Sequence, residues 1–255
     1  MKEIPNLGGT LEDWLEGQIR RYGDWFRERP VLVDVGAYHG EFSNRFVTGE
    51  KSPFRSAILF EPNPENFAEL QRKLASDERF CLERLACGDQ AGQGKLVCKG
   101  IGYTGSLLAR RQEMPGIRNE YEVTIVTLDD YFAQKKPPGG VGLLKLDTQG
   151  NDLRALRGAV CLLARSRPWI VVEMLATPRF DGQAKPAEIT EFLEGENYFL
   201  GAAMNEFYTD TGWLAWFDAC FVPRELFSMD MNSNLQRPGA GQTPGKKAKW
   251  FFKGR

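Results

Sequence analysis

Short apolar runs alternate along this chain with stretches of helical periodicity, and this alternation limits the possible folds more than any other feature. The predicted strands cover residues 31–35, 56–61, 80–86, 95–99, 121–127, 141–147 and 169–174. Helical spacing of apolar residues is found in "TLEDWLEGQIRRYGDWF", which begins at Thr10 as N-cap and is ended by Pro30, in "PENFAELQRKLA" and in "NDLRALRGAVCLLARS". Such alternation is typical of crossover connections, so we predict an α/β domain with a mostly parallel sheet. Near the end, "NYFLGAA" and "GWLAWFDACFV" predict an antiparallel hairpin at one sheet edge.

The chain is long enough for one domain with a sizeable core. It has 255 residues, of which 42% are hydrophobic, and single α/β domains of this size are common. We predict that residues 1–30 form a helical segment that packs on or caps the domain, and that residues 31–228 form the domain itself. Residues 229–255 are rich in Gly, Pro and Lys and are predicted to be a flexible tail.

The charge balance and the cysteines exclude several classes of protein. The 33 basic and 34 acidic residues leave a net charge of -1. The net charge therefore provides no attraction for nucleic acid or for an anionic membrane. The five cysteines contain no CxxC pair, which argues against a disulfide framework or a zinc site. The N-terminus lacks an apolar signal segment, and no run reaches the ~18 apolar residues of a spanning helix. We therefore expect a cytoplasmic protein that binds neither nucleic acid nor membrane, and an oligomer remains open.

Carboxylates and glycines stand at the ends of the predicted strands. In an open parallel sheet, ligands bind outside the carboxyl ends of the strands, so these positions form the candidate site. In chain order they are Asp34, Gly36 and Gly40, then Glu61, then Gly88 and Asp89, then Asp147, and finally Glu173.

The glycine spacing after the first strand argues against a dinucleotide. A pyrophosphate loop has the pattern G-x-G-x-x-G, but counting from Gly36 this chain has Tyr38 and Glu41 at the second and third glycine positions. A bulky ring and a carboxylate both oppose a diphosphate, and Asp34 opposes it further.

A ligand with a cationic amino-acid end suits this loop better, and S-adenosylmethionine is such a ligand. Its carboxylate can accept from the amides at the helix start, between Gly40 and Ser43. Its ammonium is complemented by Asp34. The two oxygens of Glu61 can accept from the ribose diol.

Six collinear blocks, "VDVGAYHGEFS", "LFEPNPENFAEL", "ACGDQAGQGKL", "VTLDDYF", "LLKLDTQGNDLRALRGA" and "VVEM", resemble the FkbM family of S-adenosylmethionine-dependent methyltransferases. They extend from residue 31 to about residue 175. The resemblance implies a class I, Rossmann-like fold with a seven-stranded sheet and helices on both faces. It also implies methylation of a hydroxyl on a small-molecule acceptor, namely a sugar, a polyketide or another natural product.

The resemblance also implies roles for matching residues. The predicted cofactor-binding residues are Asp34, Gly36, Ala37, Tyr38, Gly40, Ser43, Glu61, Pro62, Gly88 and Asp89, with Asp89 near the adenine. Asp147 is predicted to lie near the methyl group as general base, with His39 as the alternative base. Gln149 and Glu173 are predicted to bind the acceptor. The chain departs from the family pattern at three positions. Tyr38 stands where the family usually has Asn, and Gln149 and Asp152 stand where Glu is more frequent. These departures affect the expected substrate more than the expected cofactor.

Several alternatives stay open at this stage. No ligand spacing predicts a metal site, but Asp147 and Glu173 can ligate a divalent cation that acidifies the acceptor. The acceptor atom can be nitrogen or a carboxylate oxygen, and the chain can be a binding protein without turnover. Two irregular stretches, 100–120 and 176–188, are expected to set specificity. Their arginines can recognise an anion or be solvated surface: Arg110, Arg111, Arg118 and Arg179.

Overall fold

The computed structural model describes residues 10–99, 105–111, 118–137 and 139–226. The chain divides into two compact units, residues 1–224 and residues 225–255. All helices and strands named here belong to the first unit. The predicted tail, 229–255, lies outside the described residues, as do residues 1–9 of the predicted N-terminal segment.

The helices, in chain order, are α1 (Leu11–Arg21), α2 (Gly23–Arg27), α3 (Glu41–Thr48), α4 (Pro64–Leu74), α5 (Leu128–Gln134), α6 (Asp152–Arg157), α7 (Val160–Ser166) and α8 (Pro186–Gly195). The strands are β1 (Val31–Val35), β2 (Ser56–Phe60), β3 (Phe80–Glu83), β4 (Ala86–Cys87), β5 (Gly92–Lys99), β6 (Gly105–Ser106), β7 (Arg118–Val126), β8 (Val141–Leu146), β9 (Trp169–Leu175), β10 (Tyr198–Tyr208) and β11 (Leu214–Pro223).

The main sheet has seven strands in the order β10-β11-β9-β8-β1-β2-β3. Strands β3, β2, β1, β8 and β9 run parallel, whereas β11 pairs antiparallel with β9 and β10. The predicted α/β class, the mostly parallel seven-stranded sheet and the C-terminal hairpin are confirmed. Because the chain leaves β1 toward β2 on one side and later adds β8 on the other, the switch point of the sheet lies between β1 and β8.

Two predicted strands do not belong to this sheet. The regions predicted at 95–99 and 121–127 are β5 and β7, which pair antiparallel in a separate sheet of order β4-β7-β5-β6. The strand predicted at 80–86 ends at Glu83, and Ala86 and Cys87 join the small sheet through β7. Apolar alternation indicates a strand but not its partner. The partner is decided here by a small separate core that includes Leu96 and Val123.

Helices cover both faces of the main sheet. The core on one face includes Leu128 of α5, Leu156 of α6, Leu163 of α7 and Leu193 of α8. On the other face, Trp14, Tyr22 and Phe26 surround Trp169 of β9, with ring centroids 6.1, 5.5 and 5.3 Å away. The α4 leucines lie beside Leu59 of β2 on that same face.

Two helices predicted as continuous are each broken in two. The Thr10 N-cap is confirmed, since its hydroxyl accepts from the Asp13 amide, but α1 ends at Arg21 and α2 begins at Gly23. The helix after Asn151 breaks at Gly158, where an added Cβ would lie 2.0 Å from the Gly88 carbonyl oxygen. The Asp129 carboxylate accepts from the Cys161 and Leu162 amides and so caps the new start of α7.

Candidate active site

The loop after β1 lies against the end of β8. Gly36 has φ of 80°, and a Cβ there would lie 2.0 Å from the Asp147 carbonyl oxygen, so only glycine permits this approach. Gly40 also has φ of 80° and forms the N-cap of α3, facing Leu70 and Leu74. Between them Tyr38 has φ of 51°, a strained conformation for an aromatic residue. The sequence predicts a glycine-containing ligand loop here, and the structure shows that Gly36 is needed because a side chain would collide with the Asp147 carbonyl oxygen.

The carboxylate of Glu61 fixes that loop at the end of β2. Its Oε2 accepts from the Tyr38 amide at 2.8 Å and its Oε1 accepts from the Asn63 amide at 2.9 Å. Burial raises the pKa of Glu61 to about 7, against the lowering effect of these hydrogen bonds and of Lys145. Glu61 is therefore an acceptor that links two strand-end loops.

The raised pKa of Glu61 makes folding depend on pH. A carboxyl that binds its proton more tightly when folded stabilises the protein below its unfolded pKa, and this stability is lost as pH rises through the folded pKa. From pH 4.5 to about 7, wild type should lose roughly 3 kcal/mol of unfolding free energy that the Glu61→Gln variant does not lose. Urea titrations at several pH values measure the difference. The difference in unfolding free energy between the two proteins should be constant above pH 8. If the unfolding free energy of both proteins changed equally with pH, the raised pKa of Glu61 would be contradicted.

A buried ion pair lies behind the loop. Asp34 is fully buried and accepts from the Ser43 hydroxyl at 2.7 Å. The Lys145 ammonium lies 3.3 Å from Asp34 Oδ1 and donates to the Gly36 carbonyl oxygen at 3.2 Å. Burial lowers the pKa of Lys145, but Asp34 and Asp147 outweigh this effect and raise the pKa above its usual value. Asp34 thus already faces a cation that belongs to the protein.

At the ends of β8 and β9, one amide joins two carboxylates. Gln149 Nε2 donates to Asp147 Oδ1 at 3.1 Å and to Glu173 Oε2 at 3.0 Å. Asp147 also lies 3.6 Å from the Lys145 ammonium. Burial, followed by the nearby charges of Asp147, Asp152 and Asp218, raises the pKa of Glu173. Gln149 therefore links Asp147 and Glu173, and all three are residues predicted to act on the acceptor.

Asp152 fixes the loop that carries Gln149 by hydrogen bonds. This buried carboxylate accepts from the Thr148 amide and hydroxyl at 2.9 and 2.8 Å and from the Gly150 amide at 3.2 Å. Burial raises its pKa to about 6. Gln149 itself has φ of 55° and accepts from the Ser106 hydroxyl at 2.8 Å through its carbonyl. The small sheet thereby contributes to the position of Gln149.

A cavity of about 260 Å³ lies between these elements. Gly36, Tyr38 and Glu61 form one side, and Asp147 and Gln149 form another. Its apolar wall comes from the segment after β3 and from the small sheet, namely Leu85, Ala86, Cys87, Leu96 and Leu107. A slot with one apolar wall, a strand-end carboxylate and a close glycine fits an adenosyl group joined to an amino acid.

A second cavity, of about 400 Å³, lies on the other side of Tyr38 and Asp147. It is bounded by Lys145 and Asp218 of the sheet, by Phe42 of α3 and by Leu11 of α1. Asp218 pairs in register with Glu173 and accepts from the Asn205 amide at 2.8 Å. Burial and the Asp147 charge raise the pKa of Asp218 to about 6. Asp147 and Tyr38 line both cavities, so they stand where two ligands would meet.

Not every predicted residue lies at these cavities. Gly36, Ala37, Tyr38, Glu61, Pro62, Asp147 and Gln149 line one or both. His39 lines neither, since its ring stacks on Tyr38 with centroids 3.7 Å apart and its Nδ1 lies 3.9 Å from Glu41. Gly88 is occupied in the small sheet, where its amide donates to Val126, and Asp89 is exposed. Their predicted roles stay predictions.

Three residues at the site were not predicted. Lys145 and Asp218 are charged residues within strands, where alternation alone suggests an exposed side chain. Asn151 is buried and its amide donates to the Cys87 carbonyl oxygen at 2.9 Å. The sequence does indicate a structural role for Asn151, because it directly precedes α6 and Asn is favoured at helix N-caps.

The two stretches expected to set specificity pack on each other. The Arg111 amide donates to the Arg179 carbonyl at 3.0 Å, and the Asp181 amide donates to the Ala109 carbonyl at 2.7 Å. Arg110 lies over the Phe180 ring, and Arg111 pairs with Asp181 at 3.2 Å. Two of the arginines considered as anion ligands, Arg110 and Arg111, thus contact the other loop through their side chains. Residues 112–117 and the Arg118 side chain lie outside the described part of the chain.

The described residues contain neither a cluster of metal-binding side chains nor a helix that could cross a membrane. Residues 10–99, 105–111, 118–137 and 139–226 contain no group of three or more His, Cys, Asp or Glu arranged to hold a metal ion. Within the same residues, every helix is too short or too polar to cross a membrane.

Comparison with known proteins gives one informative match. The model of the Methyltransferase FkbM domain matches residues 34–200. No curated protein matches the sequence.

Solved structures resemble the chain more distantly. A methyltransferase FkbM from Methylobacillus flagellatus KT is 16% identical with a TM-score of 0.49, and the match covers 75% of this chain and 44% of that one. The chain thus spans less than half of that protein's length. Magnesium protoporphyrin IX methyltransferase from Synechocystis PCC 6803, solved with bound SAM, is 10% identical with a TM-score of 0.44, over 83% of this chain and 79% of that one.

Proposed function

The chain belongs to the FkbM methyltransferase family, and from this premise we propose that it methylates a hydroxyl group of a sugar, polyketide or other small natural product. The observation that carries the proposal is the position of Asp147, a residue that lines both cavities. A carboxylate at the boundary between two ligand sites can orient a hydroxyl and accept its proton.

We assign the cavity beside Glu61 to S-adenosylmethionine, which supplies a methyl group activated by a sulfonium. Glu61 would accept from the ribose, and the apolar wall of Leu85, Cys87 and Leu96 would hold the adenine. Gly36, which packs against the Asp147 carbonyl oxygen, would lie beside the amino-acid end. We keep Asp34 and Ser43 as cofactor-loop residues. Because Asp34 faces Lys145, we propose that it acts by holding that lysine and the Gly36 carbonyl in place.

The second cavity is assigned to the acceptor. Methyl transfer is an in-line displacement, so the main task of the protein is to align the acceptor oxygen and exclude water. Asp147 would receive the hydroxyl proton, and Gln149 and Lys145 would fix the orientation of that carboxylate. Glu173 and Asp218 would contact other polar groups of the acceptor.

The charges around the acceptor cavity favour a small molecule over nucleic acid. Binding of a nucleic acid depends on cations that neutralise phosphates. Among the residues that line this cavity, the carboxylates Glu12, Glu41, Asp147 and Asp218 outnumber the cations Arg45 and Lys145, and Arg45 is already paired with Asp13 and Glu16. An acceptor rich in phosphates would be repelled by these carboxylates.

Calorimetry with four ligands tests the proposal. The chain should bind S-adenosylmethionine and its demethylated product with micromolar affinity, and it should not bind NAD or NADP, because Tyr38 and Glu41 occupy the positions where a diphosphate needs glycines. Micromolar binding of a nicotinamide dinucleotide would overturn the cofactor assignment. Cofactor binding without turnover on any tested acceptor would favour the alternative of a binding protein.

A further inference from the structure

A buried hydroxyl of the small sheet contacts the loop after β8. Ser106 of β6 is 2% exposed. Its hydroxyl donates to the Gln149 carbonyl oxygen at 2.8 Å and accepts from the Leu108 amide at 3.1 Å. Because a carbonyl can only accept and an amide can only donate, these two partners fix the direction of the hydroxyl proton. The proton of Ser106 is therefore directed at Gln149.

Packing of the next two residues fixes the position of Ser106. Leu107 packs against the small core and lines the cavity assigned to the cofactor. Leu108 is buried in a cluster with Leu175 and Phe180, beyond the end of β9. Ser106 itself lines neither of the two cavities. Its place is thus set by the fold, and its hydroxyl acts through Gln149.

The peptide between Gln149 and Gly150 is held at both of its polar atoms. Its carbonyl oxygen accepts from the Ser106 hydroxyl, and its N–H donates to Asp152 Oδ2 at 3.2 Å. Gln149 has φ of 55° and Gly150 has φ of 96°. A left-handed backbone is unfavourable for glutamine, and a glycine on one side makes rotation of the peptide easy. The two hydrogen bonds oppose that rotation.

The orientation of this peptide decides where the Gln149 side chain lies. Its Nε2 donates to Asp147 at 3.1 Å and to Glu173 at 3.0 Å. Rotation of the peptide would move this amide, and both carboxylates would lose the donor that they share. The hydroxyl of Ser106 is therefore connected, through one peptide and one side chain, to the two carboxylates.

We propose that Ser106 is a positioning residue, whose hydroxyl holds the Gln149–Gly150 peptide and so keeps the Gln149 amide on Asp147 and Glu173. The inference rests on the proposed function, in which Asp147 receives the proton of the acceptor. A carboxylate that is free to turn is misaligned with the acceptor in part of the molecules, and misalignment slows transfer. Because Ser106 lines neither cavity, its loss should change the order of Gln149 and leave cofactor affinity unchanged.

Water-exchange NMR on the side-chain amide of Gln149 tests this role, with the Gln149→Ala spectrum identifying its signals. In Ser106→Ala the exchange should be about tenfold faster, the effect expected when a buried hydrogen bond is lost. Ser106→Thr keeps a hydroxyl and should keep the wild-type rate. Thr124→Val is the matched control, because it removes a hydroxyl of the same small sheet that accepts from Gln93 and lines neither cavity. Its exchange rate should equal that of wild type.

Calorimetry with the demethylated cofactor product completes the experiment. Ser106→Ala should bind this product within about twofold of wild type. Unchanged exchange in Ser106→Ala, or equal acceleration in Ser106→Thr or Thr124→Val, would overturn the assignment. So would a loss of product affinity of about tenfold or more in Ser106→Ala, since the hydroxyl would then act on the cofactor cavity. If wild type does not bind the product, the proposed function is contradicted, while the exchange rates still test the role of Ser106.

Discussion

Replacement of Asp147 by Asn should lower kcat by about 10²- to 10⁴-fold and leave the affinity for S-adenosylmethionine nearly unchanged. Asp147 stands between the two cavities, 3.6 Å from the Lys145 ammonium and 3.1 Å from the Gln149 amide. The Asn side chain keeps the size and can still accept from Gln149, but it cannot take up a proton. The loss should therefore appear in turnover and not in cofactor binding.

Steady-state turnover at saturating cofactor, together with calorimetric affinities, checks this expectation. Asp181→Asn is the matched control, because it removes a carboxylate that pairs with Arg111 in the loop pair and lines neither cavity. It should leave kcat within about twofold. If Asp147→Asn weakens cofactor binding but keeps turnover, Asp147 is a cofactor ligand, and His39→Asn becomes the next variant to measure.

Replacement of Lys145 by Met should lower the free energy of unfolding by about 3–5 kcal/mol. The side chain of Lys145 is 14% exposed and that of Asp34 is fully buried, so removal of the ammonium leaves a buried carboxylate without its countercharge. The methionine preserves much of the apolar volume, which separates the effect of charge from that of packing. The loss is the cost of an uncompensated buried charge.

Urea unfolding of a double-mutant cycle measures this coupling. In the Lys145→Met background, Asp34→Asn should recover a large part of the lost stability, because the unpaired charge is then gone. Lys95→Met is the control: it breaks the pair with Glu120 at 2.9 Å, with side chains 56% and 32% exposed, and should cost about 0–1 kcal/mol. Equal losses at Lys95 and Lys145, or simple additivity of the Lys145 and Asp34 changes, would show that the two buried charges do not depend on each other.

The sequence by itself determined the class of fold and the positions where strands end. Apolar runs and helical periodicity predicted every strand of the parallel sheet and the C-terminal hairpin. Local geometry explains this success, because the strand and helix repeats are properties of adjacent residues. The same locality placed Gly36, Glu61 and Asp147 at strand ends, where a parallel sheet binds its ligands.

Only the tertiary structure decided which strands pair and which charges meet. The apolar pattern of β5 and β7 is that of main-sheet strands, but their partners come from a separate small core. Asp34 was expected to face a ligand ammonium, yet Lys145, more than a hundred positions later in the chain, lies 3.3 Å away. The strand register brings Asp218 beside Glu173. The left-handed backbone of Gln149 lets its side chain contact both Asp147 and Glu173. Such contacts join residues that are distant in sequence, so no local pattern encodes them. The strand register decides which residues meet when the sheet forms. Burial in a low-dielectric interior then requires each charge to have a partner.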